Sequence, residues 1–167
     1  MQEDLTNTFR QARVGEKIEY TGSMLVMRDI AQKRLVEIDK SGMMLPLDLK
    51  DQVIFYAGPT FVKGHMVIGP TTSKRMDRFL EFIISKGIVA TVGKGRRTQE
   101  AEVLCVKYKV PYFVAPSGCA AYLANCVTNW EIIAFEELGP EAIYRIEVTG
   151  FPLLVATDVF GNSLFDR

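Results

Sequence analysis

An alternation of apolar runs and helical segments in the middle of the chain constrains the fold more than any other feature. From Met66 to Phe135 the predicted order is strand, helix, strand, helix, strand, helix and strand. The clearest helix repeats apolar residues at helical spacing from Met76 to Ile84, and Gly87 ends it. Alternating strands and helices favour parallel strands covered by helices. We therefore expect an α/β fold with a mixed, largely parallel sheet and flanking helices.

The two ends of the chain give weaker patterns. Residues before about Val14 show little periodicity, which predicts a leading arm, whereas Lys17–Met27 combines alternating and continuous apolar residues, as strands do. Apolar runs on both sides of residues 63–65 predict a hairpin. Near the C-terminus, Leu153–Ala156 is predicted as a short strand. No linker or low-complexity segment interrupts the chain, which predicts a single domain over residues 1–167.

The composition excludes several classes of partner. Twenty Lys and Arg residues balance 20 Asp and Glu residues, so the formal net charge is zero. A neutral chain has no overall basic field that would attract nucleic acid or anionic lipid. No apolar run approaches the roughly 18 residues of a membrane span, and the chain begins with a polar, acidic segment instead of a secretory signal. We expect a cytoplasmic protein that binds neither nucleic acid nor membranes.

The cysteines do not form a recognisable metal motif. Cys105, Cys119 and Cys126 are odd in number and contain no C-x-x-C pair. An odd number in a chain without an export signal argues against a disulfide framework, and the spacing is unlike that of a metal or cluster site. We therefore expect small buried apolar side chains and no metal site formed by this chain.

A polar turn, Gly69–Arg75, carries the richest chemistry in the sequence. It joins three hydroxyls and two cations immediately before a helix, a composition that suits a carboxylate or phosphate. Because parallel strands end at one edge of a sheet, Arg28, Thr71, Arg75 and Lys94 are expected to converge. Three cations and a hydroxyl suit a small dicarboxylate.

Each of these residues also has a structural interpretation. Arg28 could simply pair with a nearby acid, and Thr71–Ser73 could only cap the following helix. Arg96 and Arg97 are expected on a solvated face. His65, in the predicted hairpin turn, is expected to be exposed and inert rather than a general base, because no orienting partner lies near it in the sequence.

Five segments of the chain carry a family resemblance: Met27–Leu35, Ala57–Pro59, Gly69–Asp77, Gly93–Gly95 and Glu137–Ala142. The longest of them, GPTTSKRMD, is specific enough to make an accidental resemblance improbable. Together they resemble the class I, iron–sulfur fumarate hydratases and L(+)-tartrate dehydratases. The similarity is to the β subunit or C-terminal domain of these enzymes and extends over nearly the whole chain.

The resemblance implies the reversible addition of water across a carbon–carbon double bond, such as fumarate to (S)-malate. It implies a swivelling β/β/α domain and a 4Fe-4S cluster that a separate α subunit or N-terminal domain holds through three cysteines. This chain would then be active only with an α subunit, in a heterodimer or an α2β2 assembly, and would bind a small dicarboxylate substrate.

The resemblance also implies roles for the residues of the polar turns. A threonine hydroxyl is a poor base, so the proton-transfer residue would need an acid from the α subunit. By position, carboxylates would be bound by Arg28, Arg75 and Lys94, a proton at C3 would be transferred by Thr71, and further hydrogen bonds or a helix cap would come from Thr72 and Ser73.

Two alternatives remain open at this point. L(+)-tartrate is also a four-carbon dicarboxylate, so the same residues would serve a tartrate dehydratase equally well. The chain could also be a non-catalytic dicarboxylate-binding module that works without a cluster-bearing partner.

One position departs from the family pattern: Gln32 stands where histidine is expected in many relatives, which puts any role of that position in doubt.

Overall fold

The computed structural model describes residues 2–166, so Met1 and Arg167 of the expected domain lie outside the described residues. The helices are α1 (Gln2–Gln11), α2 (Asp29–Lys40), α3 (Asp77–Ser85), α4 (Gln99–Tyr108) and α5 (Ala120–Cys126). The strands are β1 (Lys17–Val26), β2 (Val53–Phe55), β3 (Thr60–Val62), β4 (His65–Val67), β5 (Ala90–Gly93), β6 (Tyr112–Val114), β7 (Val127–Ala134) and β8 (Ile143–Thr157). Short 3-10 helices lie at Ser73–Met76, Glu136–Glu141 and Leu164–Asp166.

The main sheet is mixed and closes on itself. Its strand order is β1-β2-β5-β6-β8-β7, and β8 also pairs with β1, so five strands form a barrel-like closure with β7 attached outside it. The pairs β1–β2, β2–β5 and β5–β6 are parallel. Every pair that involves β8 is antiparallel. The α/β class and the mixed sheet are confirmed, but the expected predominance of parallel strands is wrong.

The correction follows from β8, which is much longer than the predicted Leu153–Ala156. Its burial alternates from Tyr144 to Val148 and again from Phe151 to Val155, as expected of a strand packed on one face. Its first half pairs with both β7 and β1, and its second half pairs with β1 and β6. Gly150, at φ 62°, adopts the left-handed conformation between the two halves. One long strand therefore joins the two edges of the parallel set.

The N-terminal segment is a helix and not the expected leading arm. Leu5 and Phe9 lie on α1, and Ala12 follows one residue after its end at the same helical spacing. Phe9 and Ala12 are buried in the barrel core. The ring of Phe9 lies 5.7 Å from that of Tyr20 and 4.9 Å from that of Phe113. Three apolar positions between Leu5 and Ala12 are a weak signal in sequence, but all three pack in or against the barrel core.

The other predicted helices and the hairpin are confirmed. Helices α2 and α3 bury their apolar faces in a second core on the outside of the sheet. Thr98 caps α4, since its hydroxyl accepts a hydrogen bond from the Ala101 N–H at 3.2 Å. Strands β3 and β4 form an antiparallel hairpin around Lys63 and Gly64, which both have positive φ. Among residues 2–166, no helix is long and apolar enough to cross a membrane.

Candidate active site

The polar turn Gly69–Arg75 is held between the carboxyl ends of β2 and β5. The Thr71 N–H donates to the Tyr56 carbonyl at 2.8 Å, and the Lys94 N–H donates to the Thr71 carbonyl at 3.3 Å. The Ser73 N–H donates to the Lys94 carbonyl at 3.0 Å. The turn thus bridges the segments that follow β2 and β5, antiparallel between Pro70 and Ala57 and parallel between Thr72 and Lys94. As a result, Thr71 and Lys94 lie on adjacent backbone segments at the same edge of the sheet.

Arg28 ends the connection from β1 and stands at the N-cap position of α2. Its guanidinium lies against Gly58, where an added Cβ would collide with Nη1, so the glycine makes room for the arginine. Its Nε lies 3.3 Å from Oε1 of Glu141, close enough for an ion pair but not aligned for a hydrogen bond. The side chain is 28% exposed. Arg28 therefore pairs with an acid and still faces solvent in part.

Glu141 is a residue of this edge for which the sequence suggested no role. Its Oε2 accepts a hydrogen bond from the Ile30 N–H at 3.4 Å, in the first turn of α2, where a negative charge is favourable. One turn further along α2, Arg34 pairs with Glu137 of the same 3-10 segment, and a backbone hydrogen bond together with Arg34 lowers the pKa of Glu137. Two acids of the 3-10 helix Glu136–Glu141 thus contact α2 and its N-cap residue, Arg28.

Arg75 and Lys94 are the more accessible cations of the edge. An Nη2 atom of Arg75 lies 3.4 Å from Oδ1 of Asp29, and the arginine side chain is 50% exposed. This pair joins the 3-10 helix Ser73–Met76 to the start of α2. Lys94 is exposed, as is Thr72, whose side chain makes no capping hydrogen bond. We refer to Arg28, Thr71, Arg75 and Lys94 as the cationic edge.

The hydroxyl of Thr71 has no hydrogen-bond partner among the described residues, although its oxygen is buried. Buried hydroxyls are nearly always bonded, because leaving one unpaired costs free energy. The neighbouring groups that hold the turn use the backbone of Thr71 and leave its side chain unused. The hydroxyl therefore has its donor and acceptor capacity available for a group that this chain does not supply.

Ser73 lies beneath the turn and is fully buried. Its Oγ and the Gly95 carbonyl each lie 2.8 Å from the Tyr112 hydroxyl. Since a carbonyl only accepts, Tyr112 donates to Gly95 and the Ser73 hydroxyl donates to Tyr112. Burial raises the pKa of Tyr112, which keeps it protonated for this donation. An added Cβ at Gly93 would overlap Ser73 Oγ, so the serine packs directly on the end of β5.

Arg97 corrects the expectation of a solvated arginine pair. Arg96 is exposed and pairs with Asp166, but the Arg97 side chain is 0% exposed and pairs with Asp77 at 2.6 Å. Burial raises the pKa of Tyr56, so its hydroxyl beside Arg97 stays neutral. The two arginines are adjacent in sequence, so the sequence could not show that Arg96 points outward and Arg97 points under the sheet edge.

His65 lies in the β3–β4 hairpin and is exposed, in agreement with the prediction. Gln32, by contrast, is fully buried on α2. Its Nε2 lies 3.2 Å from the sulfur of Met76 and 3.5 Å from the Arg28 carbonyl, and its Oε1 has no hydrogen-bond partner among the described residues. Gln32 thus packs behind the backbone that carries Arg28 and Arg75.

Comparison with known proteins identifies the family. A family model described as the fumarase C-terminus matches residues 1–167. The chain belongs to the fumarase C-terminus family. This finding agrees with the resemblance of its polar turns to the β subunit or C-terminal domain of class I enzymes.

Relatives in the fumarase C-terminus family include separate subunits and a longer protein. The chain is 41% identical over 167 residues to the putative L(+)-tartrate dehydratase subunit beta of Methanocaldococcus jannaschii, covering 95% of this chain and 86% of the relative. It is 39% identical over 160 residues to the L(+)-tartrate dehydratase subunit beta of Escherichia coli (strain K12), covering 91% and 78%. The anaerobic class I fumarate hydratase of the same organism is 37% identical over 164 residues, which are 94% of this chain and 30% of the relative.

The cysteines of this family member do not fit a cluster site. Cys105 and Cys126 are buried in different helices and Cys119 is exposed, which corrects the expectation that all three are buried. Burial raises the pKa of the Cys105 thiol to about 11, whereas a metal-binding cysteine must lose its proton. Among the described residues, no group of three or more His, Cys, Asp or Glu side chains could hold a metal ion. The three thiols therefore do not form a group that could hold an iron–sulfur cluster among the described residues.

Proposed function

We propose that this chain is the β subunit of a hydro-lyase that adds water reversibly to fumarate to give (S)-malate. The observation that carries the proposal is the buried Thr71 hydroxyl, which has no partner among the described residues and lies on a sheet edge with several cations. Buried hydroxyls without a partner are rare, and of those among the described residues only that of Thr71 lies on the cationic edge. An incomplete active site accounts for it, because the missing partner arrives with the substrate or with a second subunit.

Arg28, Arg75 and Lys94 bind the two carboxylates of the substrate in this proposal. An arginine can bind a carboxylate through two parallel hydrogen bonds, whereas a lysine acts as a compact charge. Glu141 and Asp29 each neutralise part of an arginine's charge, at 3.3 Å and 3.4 Å, but both arginine side chains remain partly exposed. Thr72 lies exposed beside them and could donate a further hydrogen bond. The buried Ser73 serves the same site indirectly, by holding the turn through Tyr112.

Thr71 transfers a proton at C3 of the substrate in this proposal. A threonine hydroxyl becomes basic enough only beside a group that accepts its proton. The described contacts of Thr71 are backbone hydrogen bonds that connect it to Tyr56 and Lys94, and neither provides a base. The accepting group is therefore assigned to the partner, which makes the enzyme a lyase that works only as a complex.

The partner in this proposal is an α subunit that holds a 4Fe-4S cluster, in a heterodimer or an α2β2 assembly in the cytoplasm. The misfit of Cys105, Cys119 and Cys126 to a cluster supports this division between two chains. The size of the relatives supports it too, because this chain spans most of the separate tartrate dehydratase β subunits but 30% of the single-chain fumarate hydratase. The matched region, treated as one domain, then corresponds to the C-terminal part of that longer protein.

A second candidate is the dehydration of L(+)-tartrate. The two relatives at 41% and 39% identity carry that name and are separate subunits. Tartrate is a four-carbon dicarboxylate, so the cationic edge would bind its carboxylates in the same way. The difference between the candidates is the additional hydroxyl of tartrate, which would need one more hydrogen-bonding group.

The test is reconstitution of the chain with its α partner under anaerobic conditions. The complex is assayed with fumarate, (S)-malate, mesaconate and both tartrate enantiomers, and each subunit is assayed alone. We expect hydration of fumarate by the complex and no turnover by this chain alone. Turnover of L(+)-tartrate with none of fumarate would favour the second candidate. Binding of dicarboxylates without turnover of any of them, despite a loaded cluster, would instead indicate a non-catalytic binding module.

A further inference from the structure

A buried cluster of polar side chains lies directly beneath the cationic edge. We call it the Arg97 cluster. Its arginine is fully buried, as are two tyrosines and a threonine, and its aspartate side chain is 7% exposed. Charged side chains are rarely buried, and those that are need paired charges and hydrogen bonds. The members are Tyr56, Asp77, Thr91, Arg97 and Tyr112.

Arg97 contacts every other member of the cluster. Its Nε donates to Oδ1 of Asp77 at 2.7 Å, and its Nη1 donates to the Thr91 hydroxyl at 2.9 Å. Its Nη2 donates to the Tyr56 hydroxyl at 3.2 Å. The guanidinium also lies over the rings of Tyr56 and Tyr112, at 5.2 Å and 5.0 Å from their centroids. One planar group therefore joins the end of β2, the middle of β5, the start of α3 and strand β6.

The residues that Arg97 contacts lie within a few sequence positions of the two turns of the cationic edge, or bond to them. Asp77 follows the 3-10 helix that carries Arg75. Thr91 is on β5 and lies three residues before Lys94, which follows that strand. Tyr112 joins the two turns directly, because its hydroxyl accepts from Ser73 and donates to Gly95. Arg97 thus contacts side chains that lie beneath both turns. Its own side chain is not exposed and cannot contact a substrate.

We propose that Arg97 is a positioning residue, which fixes the turn carrying Thr71 and Arg75 against the turn carrying Lys94. The inference rests on the proposed function for its kinetic consequence. The fork of a guanidinium can satisfy Asp77, Thr91 and Tyr56 at once, whereas a lysine offers a single nitrogen at this place. Its charge is neutralised by Asp77, so it adds rigidity to the edge and no field of its own.

The first test measures the coupling of the turns without reference to substrate. The Ser73 and Lys94 amides bond from one turn to the other, so their hydrogen exchange reports the separation of the turns. In the full chain, Arg97→Lys should accelerate exchange at both amides about tenfold relative to the Val155 amide, which bonds Glu16 in the barrel. Arg96→Met, at the exposed neighbour, should change this ratio less than about twofold.

The second test uses the reconstituted complex. Arg97→Lys should raise KM for the dicarboxylate about tenfold, the effect of misplacing one carboxylate contact, with thermal stability sufficient for assay. Tyr112→Phe removes only the hydroxyl that joins Ser73 to Gly95, and it should show a smaller change in the same direction. It also keeps the test decisive if Arg97→Lys does not fold.

The outcomes separate this inference from the proposed function. Unchanged relative exchange in both Arg97→Lys and Tyr112→Phe would overturn the positioning role, whatever the kinetics. Faster exchange with unchanged KM would also overturn it, provided that Arg75→Met raises KM in the same assay. If Arg75→Met leaves KM unchanged as well, the proposed function fails, and the exchange ratios alone decide whether Arg97 couples the two turns.

Discussion

Arg75 and Arg97 are the same residue type, each paired with an aspartate, but they lie in different layers of the molecule. The Arg75 side chain is 50% exposed and meets Asp29 at 3.4 Å, whereas Arg97 is fully buried and meets Asp77 at 2.6 Å. Exposed ion pairs contribute little to stability, so their cations can exchange one carboxylate for another. A buried pair that loses one partner leaves an uncompensated charge.

The difference assigns separate roles to the two layers. In the cationic edge, charge is accessible and is only partly neutralised by Glu141 and Asp29. In the Arg97 cluster, every polar group of the arginine has a partner inside the protein. We therefore expect changes in the edge to alter binding and turnover at constant stability, and changes in the cluster to alter stability first.

The largest expected effect is in the buried layer. Arg97→Met should lower the free energy of unfolding by about 3–5 kcal/mol, because Asp77 is then buried without its cation. Arg96→Met is the matched control and should change it by less than about 1 kcal/mol, since its pair with Asp166 is exposed. Urea denaturation of the two variants measures both values. Equal losses would mean that the layers do not differ as described.

Thr71→Val removes the buried hydroxyl of the cationic edge. In the reconstituted complex, kcat should fall about 100-fold or more, as expected when a proton-transfer group is removed. The free energy of unfolding of the chain should not fall, because the hydroxyl that is lost has no partner to leave behind. Thr71→Ser keeps the hydroxyl and should retain most of the activity. A stability loss in Thr71→Val with unchanged kcat would reverse the roles of the two layers.

Arg75→Met should raise KM for the dicarboxylate about tenfold to 100-fold, with a smaller change in kcat, since a hydrogen bond to a charged group contributes about 1.5–3 kcal/mol. Arg78→Met is the matched control, an exposed cation in the first turn of α3 whose guanidinium lies over Phe79. Steady-state kinetics of the reconstituted complex compare them. Similar KM changes in both variants would indicate a general loss of positive charge and no specific contact.

The sequence predicted those features that depend on neighbouring residues. Helical spacing located α3, a hydroxyl at Thr98 located the start of α4, and the glycine after Lys63 located the hairpin, because each signal lies within a few positions of its effect. The residues of the cationic edge were selected in the same way, because each follows a strand that could be recognised by itself, and their role in binding stays a prediction.

Features that depend on distant partners could not be predicted in this way. The long strand β8 pairs with β1 across most of the chain, and this pairing makes the sheet close. The burial of Arg97 depends on Asp77, which precedes it by a helix and a strand. Glu141 meets Arg28 from the far end of the sequence. No local pattern distinguishes these charged residues from solvated ones, since only the fold brings their partners to them.

Asp158 is a buried carboxylate whose hydrogen-bond donors are neutral, unlike Asp77, which pairs with Arg97. It accepts hydrogen bonds from the Val14, Phe160 and Asn162 amides and from the Asn162 side chain. Burial acts to raise the pKa of Asp158, but the bonds from Asn162, Val14 and Phe160 outweigh it and hold the pKa below its ordinary value.

A depressed pKa in the folded state stabilises the protein above the ordinary pKa of about 4, and this contribution is lost as the pH falls through the lower folded value. Asp158→Asn should therefore flatten the fall in the free energy of unfolding as the pH drops below about 4, with urea denaturation at several pH values as the measurement. Glu19→Gln, at an exposed glutamate, serves as the control and should leave that slope unchanged.

Activity of the reconstituted complex at neutral pH should be retained in both variants, because the bonds of Asp158 reach neither the cationic edge nor the Arg97 cluster. An unchanged acid slope in Asp158→Asn would mean that neutral donors do not stabilise a buried carboxylate here, and that a cation such as Arg97 is required.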